Sequence, residues 1–282
     1  MAAAITTLEQ HRCFEGVQGF HQHLSATVGL PMRFGVYLPP QANDGPCPVL
    51  YCLAGLTCNE QTFAIKAGAQ QHAARHGLVL VTPDTSPRAT GVESADADWD
   101  FGTGAGFYLD AQREPYARHW RMESWLLQEL PSVLEGAFPI RADRTGILGH
   151  SMGGHGALTL ALRHPGRFQS VSAFAPICAP TEVPWGQKAF RGYLGDDTSA
   201  WAAHDAVQLI RGGARAPALL VDQGLDDQFL ATQLRPERLE EACAASGQSL
   251  TLRRHPGYDH GYFFIASFVA DHVVHHARAL CS

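Results

Sequence analysis

Residues Gly149-His150-Ser151-Met152-Gly153 form a G-x-S-x-G segment, preceded by Thr145-Gly146-Ile147-Leu148 and followed by Gly154-His155-Gly156-Ala157-Leu158. An apolar strand thus runs into a serine between glycines, and a small-residue helix leaves it. That setting is a nucleophile elbow: the serine sits on a strained turn that tolerates only glycine on either side. Its hydroxyl then stands above the sheet, near the positive end of the following helix. The chemistry this suits is acyl transfer through an acyl-serine, with Ser151 as nucleophile. Without the strand and helix, the five-residue motif would carry little weight, because it recurs by chance.

Such a serine needs donors for the oxyanion, a base and an orienting acid. The amide after the nucleophile, Met152, is one donor. The second is expected after an earlier strand, where Ala54-Gly55-Leu56-Thr57-Cys58 follows Val49–Leu53 and Gly55 can turn its amides inward. Leu56 is the donor assigned, although a plain strand-end turn also explains the spacing. In chain order the acid follows the serine. Asp222, Asp226 and Asp227 compete in Asp222-Gln223-Gly224-Leu225-Asp226-Asp227-Gln228-Phe229, and the turn opened by Gly224 favours Asp227, with Asp226 read as solvated. The base is expected between the last strand and the last helix, which leaves His255 and His260. His255, between Arg254 and Pro256, reads as a strand end; His260, in the turn-rich Gly257-Tyr258-Asp259-His260-Gly261, is better placed. His150 is read as a packing or hydrogen-bonding residue, and His275 and His276 as solvent-facing.

Elements must bring these residues together. Two strand-like runs, Val17–Ala26 and Met32–Leu38, predict an N-terminal antiparallel hairpin. Beyond it the short apolar runs Val49–Leu53, Leu78–Thr82, Thr145–Leu148, Ser170–Phe174, Ala218–Val221 and Leu250–Leu252 read as buried parallel strands. Helices are predicted near Glu60–His76, Met122–Glu135, Gly154–Arg163, Pro236–Ala245 and Phe263–Ala279, with a kink or early break at Pro131. This alternation predicts a mostly parallel central sheet with helices on both faces. The 37 residues from Pro83 to His119 are far longer than a usual connection, and their aromatic residues favour an ordered cover over the site. Phe101-Gly102-Thr103-Gly104-Ala105-Gly106-Phe107 within it is no dinucleotide fingerprint, for no strand immediately precedes it.

Composition narrows the class. The 282 residues, 45% of them hydrophobic, are ordinary for a globular enzyme and are read as a single domain. A net charge of −6 without a basic run argues against nucleic acid, and no stretch has the length and apolarity of a membrane span. Seven scattered cysteines without a Cys-x-x-Cys pair argue against a disulfide scaffold or a metal site, so a cytoplasmic location is expected, and no cofactor.

The motifs, taken together, resemble the S-formylglutathione hydrolase (esterase D) family. The resemblance runs through Tyr37-Leu38-Pro39-Pro40, Gly55-Leu56-Thr57-Cys58, Asp84-Thr85-Ser86-Pro87, Gly104-Ala105-Gly106-Phe107-Tyr108 and Gly149 to Leu158. It continues through Phe174-Ala175-Pro176-Ile177-Cys178, Pro184 to Phe190, Asp222-Gln223-Gly224, Asp226 to Phe229 and Tyr258-Asp259-His260. It implies an α/β-hydrolase fold, a triad of Ser151, Asp227 and His260, and oxyanion donors at Leu56 and Met152. The implied reaction is hydrolysis of S-formylglutathione to glutathione and formate; a broad carboxylesterase or acyltransferase on small acyl esters is the alternative. The resemblance also implies an active-site thiol at Cys58 and a homodimer. Trp185 and Lys188 are candidates to line the pocket and meet glutathione's carboxylates, although a surface loop anchored by the tryptophan explains them nearly as well. Ala54 and Gly261 stand where the family often has serine, and neither change removes a reacting group.

Overall fold

A computed structural model describes residues 4–281. Nine strands form a single sheet: β1 (Ile5–Cys13), β2 (Gly16–Leu24), β3 (Pro31–Leu38), β4 (Cys47–Leu53), β5 (Val79–Pro83), β6 (Ile140–His150), β7 (Ser170–Phe174), β8 (Leu219–Gly224) and β9 (Leu250–His255). Their spatial order is β1-β2-β3-β5-β4-β6-β7-β8-β9. The first three strands and the β3–β5 pair are antiparallel, and every later pairing is parallel. Strands β5 and β7 are buried at every position, as strands covered by helices on both faces must be. This is the mostly parallel sheet that the alternation of elements predicts, in the α/β-hydrolase arrangement that the resemblance implies.

The predicted hairpin is present as β2 and β3, and a further strand, β1, extends it at the sheet edge. Strand β1 escapes a pattern reading because Ile-Thr-Thr-Leu-Glu-Gln-His-Arg-Cys buries almost nothing; only its two ends are half-buried. Its order comes from ladder hydrogen bonds to β2. The predicted helix Glu60–His76 is divided into Glu60–Lys66 and Ala69–His76. The segment from Met122 to Glu135 does not stop at Pro131. Instead it winds as a π-helix over Trp125–Glu129, so that Pro131 falls in the first turn of Leu130–Glu135, where its missing N–H removes no bond.

Two further corrections concern segments read as surface. Pro184–Tyr193, for which a surface loop was the alternative reading, is a helix with proline in its first turn. In the C-terminal helix Tyr262–Leu280, His276 is fully buried rather than solvent-facing. Ser170 and Ser172, two apart on β7, share a sheet face, and their hydroxyls meet His276 Nδ1 and Nε2 at 2.6 and 2.8 Å. His275 is half-buried, with Nε2 3.2 Å from the Val171 carbonyl.

Parallel pairing aligns the strand ends. Leu53 pairs with Gly149, His150 with Phe174, Phe174 with Asp222 and Gly224 with His255. The loops after β4, β6, β8 and β9 therefore leave one edge together. Because β5 and β6 lie on opposite sides of β4, that edge opens the crevice where ligands bind in open α/β sheets. The cover segment from Pro83 to His119 is ordered, with Phe107, Tyr108 and Leu109 buried.

Candidate active site

Ser151 stands between β6 and the helix Met152–Arg163 with φ 56° and ψ −117°, a conformation a serine adopts only under constraint. Its amide donates to the Phe174 carbonyl at 2.9 Å. The flanking glycines have a steric cause. A Cβ on Gly149 would lie 1.9 Å from the Gly153 carbonyl oxygen, and one on Gly153 would lie 2.2 Å from that of Leu53. Met152 begins the helix, so its N–H has no intrahelical acceptor. Neither it nor the Leu56 amide donates a hydrogen bond among the described residues. The two proposed donors are thus both free, and Gly55 is packed so closely that an added Cβ would lie 3.2 Å from Ser151 Cβ.

Of the three competing carboxylates, Asp227 meets a histidine at the crevice. Its Oδ2 lies 2.5 Å from His260 Nδ1, and its Oδ1 accepts the Phe229 amide at 2.8 Å. Gln223 Nε2, which carried no role in the sequence reading, lies 3.3 Å from the same Oδ2. Asp226 is exposed, as read. Asp222 is fully buried on the other side of the strand end, in a bidentate pair with Arg253 at 2.6 Å and 3.3 Å from His272 Nε2. Two backbone bonds join the acid loop to the base loop: Leu225 donates to the His255 carbonyl and Asp226 to that of Tyr258, both at 3.0 Å.

His260 and Ser151 form no hydrogen bond of 3.5 Å or less, and the histidine's one side-chain partner among the described residues is Asp227. His150 packs against His260, its ring centroid 4.6 Å from that of His260 and its Nε2 3.1 Å from the His260 carbonyl. That contact assigns the proton of His150 to Nε2. Burial, and secondarily the neighbouring His260 ring, push His150 well below the usual range, so it stays neutral beside His260.

The three remaining candidates fare differently. Cys58 is half-buried at the end of the Gly55–Cys58 loop, and burial pushes its thiol up. Trp185 lies beneath the surface, its ring 4.7 Å from Phe229, which in turn lies 5.1 Å from His260. The exposed Trp99 of the cover packs edge-on against it at 5.8 Å. Lys188 is not a free cation: its ammonium is bonded to Asp100 and lies 3.1 Å from Asp98. It ties the helix Pro184–Tyr193 to the cover.

The esterase family model ("Putative esterase") matches residues 25–275. The S-formylglutathione hydrolase of Mus musculus is 50% identical over 98% of this chain and 99% of its own length. That of Rattus norvegicus is 48% identical over 97% and 98%. The solved S-formylglutathione hydrolase of Agrobacterium tumefaciens superposes with a TM-score of 0.96 at 46% identity, covering 98% of this chain and 99% of that one. The chain belongs to the S-formylglutathione hydrolase family.

Membership in this family of esterases agrees with an elbow serine and a histidine–carboxylate pair at the same edge of the sheet. Two residues near that pair were missed by reading the sequence alone. Gln223 is hidden because an amide two positions before a turn carries no signal until the turn folds back on it. Phe229 is hidden because its place against His260 depends on the β8 and β9 loops lying side by side. No described helix is long and apolar enough to cross a membrane.

Proposed function

We propose that this chain hydrolyses S-formylglutathione to glutathione and formate, with Ser151, His260 and Asp227 as its triad. The substrate rests on 50% and 48% identity, over nearly the whole length, to two relatives that bear that activity in their names. The machinery rests on one observation: a serine forced into an elbow conformation at the crevice where Asp227 holds His260 by Nδ1.

In this reading Asp227 keeps the His260 proton on Nδ1 and leaves Nε2 free to accept the Ser151 proton. Ser151 Oγ attacks the formyl carbonyl, and the Leu56 and Met152 amides hold the oxyanion. Collapse expels glutathione thiolate. With a pKa near 8.5 a thiol leaves more readily than an alkoxide, so His260 has less to do as acid. The thiolate takes the proton that His260 received from Ser151, and His260, neutral again, deprotonates the water that attacks the formyl-serine; the proton returns to Ser151 as formate leaves. The wall Phe229, Trp185 and Trp99 leads away from His260 and suits the leaving-group side, while Lys188, paired with Asp98 and Asp100, holds that wall in place. A single domain fits the one continuous sheet, and the free cysteines suit a reducing cytoplasm.

The test is a steady-state comparison of formyl, acetyl and lactoyl thioesters of glutathione with nitrophenyl acetate, on wild type and Ser151→Ala. The reading expects the formyl thioester to lead in kcat/KM and Ser151→Ala to lower turnover by as much as ~10⁶. Tenfold preference for the oxygen ester would favour a broad carboxylesterase instead.

A further inference from the structure

The segment Ala54 to Cys58 has no regular structure, yet an oxyanion donor must be held to within a few tenths of an ångström of its working position. The structure holds it almost entirely from the cover. The Tyr108 hydroxyl donates to the Ala54 carbonyl at 2.8 Å, and the Thr57 amide to the Gly104 carbonyl at 2.9 Å. The Cys58 carbonyl accepts two bonds, from Thr85 Oγ1 at 2.5 Å and from Arg88 Nη2 at 2.8 Å.

Arg88 is itself fixed. Its Nε and Nη2 donate to the two oxygens of Asp84, each at 2.8 Å. Asp84 is 2% exposed at the end of β5, its own amide bonded to the Arg33 carbonyl on β3 at 3.0 Å. A rigid path therefore runs from the sheet through a buried carboxylate and a planar guanidinium to the carbonyl two residues beyond Leu56. A surface arginine that only paired with Asp84 would not need the third bond. Nη2 makes it by donating to a carboxylate and a carbonyl at once, which a lysine ammonium cannot reproduce with the same planar geometry.

We propose that Arg88 is a positioning residue for the reaction: pinned by Asp84, it holds the Cys58 carbonyl and so places the Leu56 amide for the oxyanion. This rests on the reading that Leu56 is the second oxyanion donor. Arg88 touches neither Ser151 nor His260 and acts only through the loop. Its side chain is 36% exposed and borders a cavity of about 280 Å³ also lined by Arg33, Asp84 and Ala89, so a small guanidinium ion can reach the place it would vacate.

The experiment compares Arg88→Ala and Arg88→Lys with wild type, measuring kcat and KM on S-formylglutathione and the rate of Ser151 labelling by a fluorophosphonate. The expected result is a fall in kcat of about 10–100-fold with KM changed by less than about threefold, and labelling slowed in parallel, since both reactions develop charge on the same oxygen. Arg88→Lys should recover only part of the loss. Guanidinium chloride at tens of millimolar, far below denaturing strength, should restore Arg88→Ala. Wild-type kcat in Arg88→Ala overturns the inference, as does a loss that guanidinium does not repair in a variant of native fold. If Arg88→Ala fails to fold, Arg88→Lys together with Thr85→Val decides: unchanged kcat in both overturns it, and an additive loss in kcat alone supports it. Activity of Gly55→Ala within twofold of wild type would instead break the underlying reading of Leu56 as the donor, an outcome none of the Arg88 results can mimic.

Discussion

Gly55→Ala tests the oxyanion loop with a single methyl group. Gly55 has no left-handed φ, so the substitution strains no backbone and acts only through contact. The new Cβ would lie 3.2 Å from Ser151 Cβ and 3.3 Å from His150 Nδ1. Carbon atoms rest about 3.5–4.0 Å apart, so the loop must retreat from Ser151 by roughly 0.3–0.8 Å. A Leu56 N–H···O distance near ~2.9 Å would then open to about 3.2–3.7 Å, the outer limit of a useful hydrogen bond. Loss of a whole oxyanion donor costs about 2.7–4 kcal/mol, and a half-lost one about 1.5–2 kcal/mol, or roughly 10–30-fold in kcat. The assay is kcat and KM on the formyl thioester and on nitrophenyl acetate, with thermal unfolding alongside. Because the oxyanion is common to both substrates, both should fall by the same factor at nearly constant KM. Gly45→Ala, where a Cβ meets nothing within 4 Å, is the control. Activity within twofold of wild type, or a loss confined to KM, would refute the placement of the donor.

Three other outcomes follow from the same geometry. Asp227→Asn should lower kcat by about 10⁴, because an amide facing His260 Nδ1 no longer favours the tautomer with Nε2 free; the measurement is single-turnover acylation, and a loss under tenfold would point to another acid. For Cys58, burial raises the thiol, so iodoacetamide should inactivate the enzyme more slowly at pH 7.5 than it consumes free glutathione, with the rate still climbing at pH 9, and Cys58→Ser should resist. Equal sensitivity of Cys58→Ser would move the reactive thiol elsewhere. Burial opposes ionisation of Asp222, but bonds and charge from His272 and Arg253 win and hold it at about 2, below the ordinary 3.8. A depressed carboxylate stabilises above its unfolded pKa and loses that stability as pH falls through the folded one, here about 2.5 kcal/mol between roughly pH 4 and 2. Urea unfolding should therefore show Asp222→Asn weaker by about 2–3 kcal/mol at pH 7, with the gap closing towards pH 2; a gap independent of pH would exclude the charge as its cause.

The Ser151 elbow was legible because glycine is obligatory where carbonyl oxygens lie 1.9 and 2.2 Å from a would-be Cβ, and that demand is written locally in residues 149 to 153. Most strands were legible for a similar reason: burial on both faces leaves short apolar runs. Strand β1 was not, since its order depends on a partner and it buries almost nothing. The histidines of the C-terminal helix misled for the opposite reason. His276 looks polar in isolation and becomes a core residue only because Ser170 and Ser172, more than a hundred positions away, present hydroxyls to both ring nitrogens.

The site divides along the same line. By itself the sequence singled out Ser151 as the candidate nucleophile, the class of chemistry and the order in which acid and base are expected to follow, because these depend on residue type, local turn sterics and chain direction. Family resemblance, also in the sequence, pointed to Asp227 over Asp222 and Asp226. What only the tertiary structure decided is which groups are free and which are engaged. Asp222 is tied to Arg253, Lys188 is paired with Asp98 and Asp100, and Arg88 reaches across from the cover to hold the carbonyl of Cys58. Hydrogen bonds and ion pairs act over about 3 Å, and residues separated by tens of positions come within that reach only when the sheet has brought their loops to one edge.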